Sequence, residues 1–119
     1  MELETYCPER KRPIHSVKEI ATLLRQAYLG VGKSPDTHIY DVSEYSLSFC
    51  PHGPEQEFVR KSMAAYRRLN EVEKKVFIFD LMEEGRHYRF WYLSYYTVGA
   101  HERIIRRVAE KYCKEWANA

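Results

Sequence analysis

Residues 96–116 read YTVGAHERIIRRVAEKYCKEW, and the fold turns on how that stretch is taken. At about 100° per residue, Ile105, Val108, Ala109, Tyr112 and Trp116 gather on one side of a helix. Arg103, Arg107 and Lys114 point nearly opposite, Arg106 and Lys111 lie on the flanks, and Glu110 alone breaks the basic face. Thr97 to Gly99 supplies the chain reversal before it. An apolar stripe that anchors and a cationic stripe that faces outward describe either a solvated outer helix or one built to lie against phosphates and base edges.

The sequence upstream sets the context. Asn70 with Glu73 forms a capping box, so a helix is predicted to start there and to run through Val72, Val76, Phe77, Ile78, Phe79, Leu81 and Met82 to Gly85. Its apolar residues occupy most of the circumference, which predicts neighbours on several sides. HYRFWYLSYY then places Tyr88, Trp91, Tyr92 and Tyr95 at i, i+3, i+4 and i+7, the spacing of a short helix that packs broad aromatic faces. Further back, Gly53 and Pro54 with Glu55 and Glu57 suit a helix start. Phe58, Val59, Ser62, Tyr66 and Leu69 line that helix on one side and Arg60, Lys61, Arg67 and Arg68 on the other. Ser16 with Glu19 repeats the capping box ahead of Val17, Ile20, Ala21, Leu24 and Tyr28, a first helix closed by Gly30 and Gly32. Residues 31–53 read as a loop, with room for one short strand where Tyr45, Leu47 and Phe49 alternate with serines in the 38–50 stretch.

The expectation is therefore an all-α protein: an N-terminal arm over 1–15, then one helical domain over 16–119 that ends in a helix-turn-helix. Within it, 16–53 holds the first helix and loop, and 54–119 the basic helix and the final module. A chain of 119 residues, 45% hydrophobic and 30% charged, can bury one modest core. The net charge of +2 hides an asymmetry: residues 1–59 carry 6 Lys+Arg against 9 Asp+Glu, while residues 60–119 carry 13 against 8. Positive charge collects where a phosphate-facing surface would need it. Cys7, Cys50 and Cys113 have no regular spacing, and MELETYCPERKR lacks the layout of a signal peptide, so a reduced, cytoplasmic setting is expected. The longest apolar run, VFIFDLM, is far short of the roughly 18 residues of a membrane span, and no membrane partner is expected.

Residues 69–116 resemble region 4 of sigma factors and, more closely, the ArpU-like and RinA-like phage regulators of late transcription. The resemblance lies in LNEVEKKVFIFDLMEEG as first helix, YTVGAHERIIRRVAEKY as turn and recognition helix, and EYSLSFCPHGPEQEFV upstream. It implies a sequence-specific DNA-binding regulator of phage or prophage late genes, with double-stranded DNA as partner and the 100–116 helix as recognition helix. The recognition role is carried to Thr97, Ala100, His101, Arg103, Arg106 and Arg107, with Thr97 as helix cap, and phosphate contacts to Arg86 and Arg89. Phe90, Trp91, Ser94 and Tyr95 depart from the Ile-Ala and Leu-Gly pairs usual in such motifs, and their bulk demands a wider helix crossing. The alternative is a protein-interaction module that docks on host RNA polymerase or a repressor through the aromatic 88–96 surface. A homodimer would suit a palindromic operator, although no heptad is visible.

Other chemistry finds less support. GVGKS at 30–34 resembles the end of a phosphate-binding loop, but Ala27 stands where its first glycine would be and a helix precedes it instead of a strand. Cys50 and His52, with His38 and Cys7, lack the paired spacing of a zinc site. His101 falls at the buried edge of its helix, where an internally bonded histidine is the ordinary outcome. The aromatic run also suits base stacking, against a packing role favoured by its spacing. No catalytic residue, cofactor or metal ligand is expected.

Overall fold

A computed structural model of the chain describes residues 6–30, 53–82 and 88–119. Every regular element among these residues is helical. Helix α1 is Pro13–Gly30, α2 is Gly53–Arg67, and α3 is Glu71–Val76, which continues as a π-helical turn, Phe77–Met82. A 3-10 turn, Trp91–Ser94, leads to α4, Val98–Ala117. The strand expected at 38–50, the GVGKS stretch beyond Gly30, and Cys50, His52 and His38 lie outside the described residues.

Helix α1 begins a turn earlier than its capping box predicts. Proline fits the first helical position, where its missing N–H costs nothing, and Ser16 already donates its backbone N–H to the Arg12 carbonyl at 2.9 Å. The Ser16 hydroxyl is buried and accepts the Glu9 backbone N–H at 2.9 Å, so it secures the arm rather than capping the helix. Glu19, the other half of the expected box, faces His15 at 3.6 Å.

At α3 the same sequence pattern does form the expected cap. Asn70 accepts the Glu73 N–H at 2.8 Å and Glu73 accepts the Asn70 N–H at 2.8 Å. The π-helical turn that follows was not legible in the spacing. Bonds from i to i+5 turn the chain less per residue than α winding does, so residues four and five apart return to one side. Phe77, Ile78, Leu81 and Met82 thereby share a buried face that an α-helix would spread more widely. The turn packs against both α1 and α4.

Helix α4 is the common neighbour of α1, α2 and α3. Val108, Ala109, Tyr112, Cys113 and Trp116 are its buried residues, and Ile104 and Ile105 are partly buried beside them. Into the same core α1 sends Val17, Ile20, Ala21 and Leu24, and α2 sends Phe58, Val59, Met63 and Ala65. The larger of these side chains contribute about 1.5–3 kcal/mol each when fully buried. Ser62 lies wholly inside: its hydroxyl donates to the Phe58 carbonyl at 2.9 Å and accepts the Trp116 indole N–H at 3.0 Å. The Tyr112 hydroxyl donates to the Ser62 carbonyl at 3.1 Å, so α2 and α4 are pinned by two bonds at one residue.

The short helix expected over 88–95 is replaced by the four-residue 3-10 turn. Adjacent residues Trp91 and Tyr92 both turn to the body of the protein. The Trp91 indole N–H donates to Asp80 at 3.1 Å, and Trp91 meets Phe79 edge to face at 4.9 Å. Of the four residues expected to pack, Trp91 and Tyr92 do so, while Tyr88 and Tyr95 are exposed, as are Phe90 and Leu93. A 3-10 turn is the element described ahead of α4, and the described residues do not confirm the expected helix-turn-helix.

Candidate nucleic-acid interface

Helix α4 carries its two faces as the spacing predicts. Arg103, Arg106, Arg107 and Lys114 are all exposed, and none has an ion pair or side-chain hydrogen bond among the described residues. From Arg103 to Lys114 the outer face runs about 16 Å at 1.5 Å per residue. Lys111, on the flank, is engaged: its ammonium reaches Glu73 Oε1 at 2.7 Å, the oxygen that also closes the α3 capping box. That carboxylate ties the start of α3 to α4 without touching the arginine face.

The other candidate residues fall in different places. Thr97 occupies the N-cap position in an extended conformation, but its side chain makes no capping hydrogen bond, which corrects its expected role. Gly99 lies inside the first helical turn rather than in the reversal, and a Cβ there would meet nothing within 4 Å. Ala100 is partly exposed. Arg89 is exposed, with its guanidinium 5.5 Å from the Phe90 ring centre; Arg86 lies outside the described residues.

His101 faces inward. Its Nε2 lies 3.3 Å from Asp80 Oδ1 and its Nδ1 lies 3.0 Å from the Tyr96 hydroxyl, while the ring stacks on Tyr92 with centroids 3.6 Å apart. A neutral imidazole protonated at Nε2 satisfies both bonds, with the Tyr96 O–H donating to Nδ1. Burial, then the Asp80 carboxylate, pushes the Tyr96 phenol above its ordinary value, which keeps that proton in place. The cluster joins the π-helical turn, the 3-10 turn and the first turn of α4. Asp80 was not singled out in the sequence; its position near the end of an apolar run is the signal that it was needed inside.

Beside this cluster Tyr88, Phe90, Leu93, Tyr95 and Val98 form a run of exposed apolar side chains, Tyr88 being 73% and Val98 58% accessible. Lys75 borders it, with its ammonium hydrogen-bonded to the Tyr95 hydroxyl and 4.8 Å from the ring centre.

A second basic feature escaped the sequence reading. Arg10, Lys11 and Arg12, in the run PERKRP, line a cleft of about 330 Å³ together with His15 and with Arg106 and Glu110 of α4. The arm that carries them is held in place: Pro8 is buried, and the Tyr6 ring meets Phe58 and Trp116 edge-on at 5.6 and 5.3 Å.

Among the described residues no helix is long and apolar enough to cross a membrane, and no group of three or more His, Cys, Asp or Glu is placed to hold a metal ion. Comparison with protein-family models, with curated proteins and with solved structures finds no match to this chain.

Proposed function

We infer that the chain is a small DNA-binding regulator that lays the outer face of α4 in the major groove of duplex DNA. The observation that carries this reading is the row Arg103, Arg106, Arg107 and Lys114, exposed and unpaired among the described residues, on a helix whose opposite side is fixed in the core. Arginines left without carboxylate partners do little for folding, and they offer the bidentate donors that read guanine and hold phosphates. The rigid backing keeps them in register with the groove. The resemblance to phage late-transcription regulators supports the same role and suggests late-gene control, with Arg103, Arg106 and Arg107 as the principal contacts.

The test is retardation of random duplex DNA across a salt series, followed by selection of bound sequences from a random pool. Wild-type protein should bind at low salt, release as salt rises, and enrich a site. Arg103→Ala with Arg107→Ala should weaken binding and flatten its salt dependence, by about 0.9 in log–log slope for each phosphate no longer neutralised, with helix content unchanged. Binding by the double variant equal to wild type at every salt concentration would remove α4 as the contact.

A second reading rests on the exposed aromatic run 88–98. Contiguous apolar side chains at a surface mark protein contacts more often than solvent-facing accidents. In that reading the chain docks on a protein of the transcription apparatus. Failure to bind duplex at low salt, together with a polymerase subunit retained by wild type but not by Tyr88→Ser with Leu93→Ser, favours it over DNA recognition.

A further inference from the structure

We propose that the cleft between the arm and α4, formed by Arg10, Lys11, Arg12 and Arg106, seats a backbone phosphate of the DNA whose groove α4 enters. The proposal rests on the DNA-binding reading and deepens it, by making the arm a second contact on the same molecule.

Three observations support it. The four cations come from two segments far apart in sequence and converge on one concavity. None of their side chains has an ion-pair or hydrogen-bond partner among the described residues, and Glu110 is the one carboxylate in the described lining. Like charges brought together repel each other, so folding gains nothing from collecting them, whereas an anion placed between them relieves the repulsion. Finally, the arm is positioned in advance. The Tyr6 hydroxyl donates to the Ser16 carbonyl at 3.3 Å, and Glu9 and Ser16 exchange hydrogen bonds at 2.9 and 3.5 Å on either side of the basic triplet. A contact already ordered before binding avoids the entropy of immobilising a loose chain.

Because Arg106 belongs both to this cleft and to the flank of α4, the cleft continues the outer face of that helix toward the start of α1. A phosphodiester strand that borders the groove would run along this side. Phosphate contacts of this kind add affinity and fix register, while sequence preference stays with the base-facing arginines.

The experiment compares the full chain with a triple variant, Arg10→Gln, Lys11→Gln and Arg12→Gln, by fluorescence anisotropy on the selected duplex from about 50 to 200 mM salt. Removing the contact to one phosphate should lower the log–log salt slope by about 0.9, so that wild type loses about 3- to 4-fold more affinity across that range than the variant does. The preferred sequence should not change, and Glu110→Gln should bind more tightly than wild type. A wild-type slope in the triple variant, or a Glu110→Gln affinity no greater than wild type, would overturn the clamp. If Arg103→Ala with Arg107→Ala still weakens binding and flattens its salt dependence in that event, the α4 reading stands without the arm. If wild type itself does not bind duplex, both fall together.

Discussion

Ser62→Ala should destabilise the domain by about 2 kcal/mol, the middle of the range for stranding a buried donor, for a reason that can be traced atom by atom. The hydroxyl makes two bonds inside the core: it donates to the Phe58 carbonyl at 2.9 Å and accepts the Trp116 indole N–H at 3.0 Å. Loss of the first is nearly free, because it is a side chain bonding back to its own helix, and alanine is the better helix former by a few tenths of a kcal/mol. Loss of the second strands an indole N–H on a residue only 3% exposed. An unsatisfied buried donor costs about 1–3 kcal/mol. The assay is urea denaturation of wild type, Ser62→Ala, Trp116→Phe and the double variant, analysed as a two-state cycle. Phenylalanine has no N–H to strand, so Ser62→Ala should cost under about 0.5 kcal/mol in that background, leaving a coupling of about 1–2 kcal/mol. An equal cost in both backgrounds would show that the indole bond contributes nothing and that α2 and α4 are held by packing alone.

Three further outcomes follow from the same fold. Glu73→Ala removes the capping carboxylate and the partner of Lys111 in one change, so it should cost about 1–2 kcal/mol, measurable in the same denaturation experiment; Glu73→Gln should recover the cap half of that loss. Burial pushes the Cys113 thiol up to about 11, and Cys7 is exposed, so iodoacetamide at about pH 8 should label Cys7 well before Cys113 by peptide mass mapping. The raised thiol is a stability statement as well: its contribution is intact below the ordinary thiol range near 9 and is lost as pH climbs through about 11, so the urea midpoint should fall over that interval.

Local signals were legible where nothing distant competed with them. Asn70 and Glu73 form their box because each needs only the backbone of the other. Ser16 and Glu19 carry the same pattern, yet Ser16 is taken by the arm through Glu9, a partner that helical spacing does not reveal. The aromatic run shows the same limit. Tyr88, Trp91, Tyr92 and Tyr95 have helical spacing, but Asp80 holds Trp91 and His101 holds Tyr92, partners that spacing does not reveal, while Tyr88 and Tyr95 stay exposed. In FIFDLM, the apolar residues predict neighbours on several sides, and α1 and α4 both pack there, but the change of winding that brings four of them to one face has no signal in the spacing. Helix α4 was legible almost throughout because its apolar and basic residues obey a single period over 20 residues.

The candidate site was legible only where charge and period coincide. Arg103 and Arg107 stand out on a helical wheel, while Arg10, Lys11 and Arg12 vanish in a count by halves, because they lie in the half whose carboxylates outnumber its cations. Tertiary structure undoes that average by folding the arm against α4, so the local charge differs in sign from the net charge of the segment that supplies it.

This division separates the residues that fold the protein from those that would bind. Arg10, Lys11, Arg12, Arg103, Arg106 and Arg107 reach outward with no partner among the described residues, whereas Lys111 and Lys61, on the same helix and its neighbour, are held by Glu73 and by the Trp116 ring. Among the described residues, six arginines and lysines of α4 and the arm beside it stand unpaired together. If that surface exists for folding, neutralising its members should lower stability; if it exists for a polyanion, neutralisation should leave stability unchanged or raise it by about a few tenths of a kcal/mol through reduced repulsion. The second outcome is the one a binding surface requires, because groups reserved for a ligand cannot also be committed to internal partners.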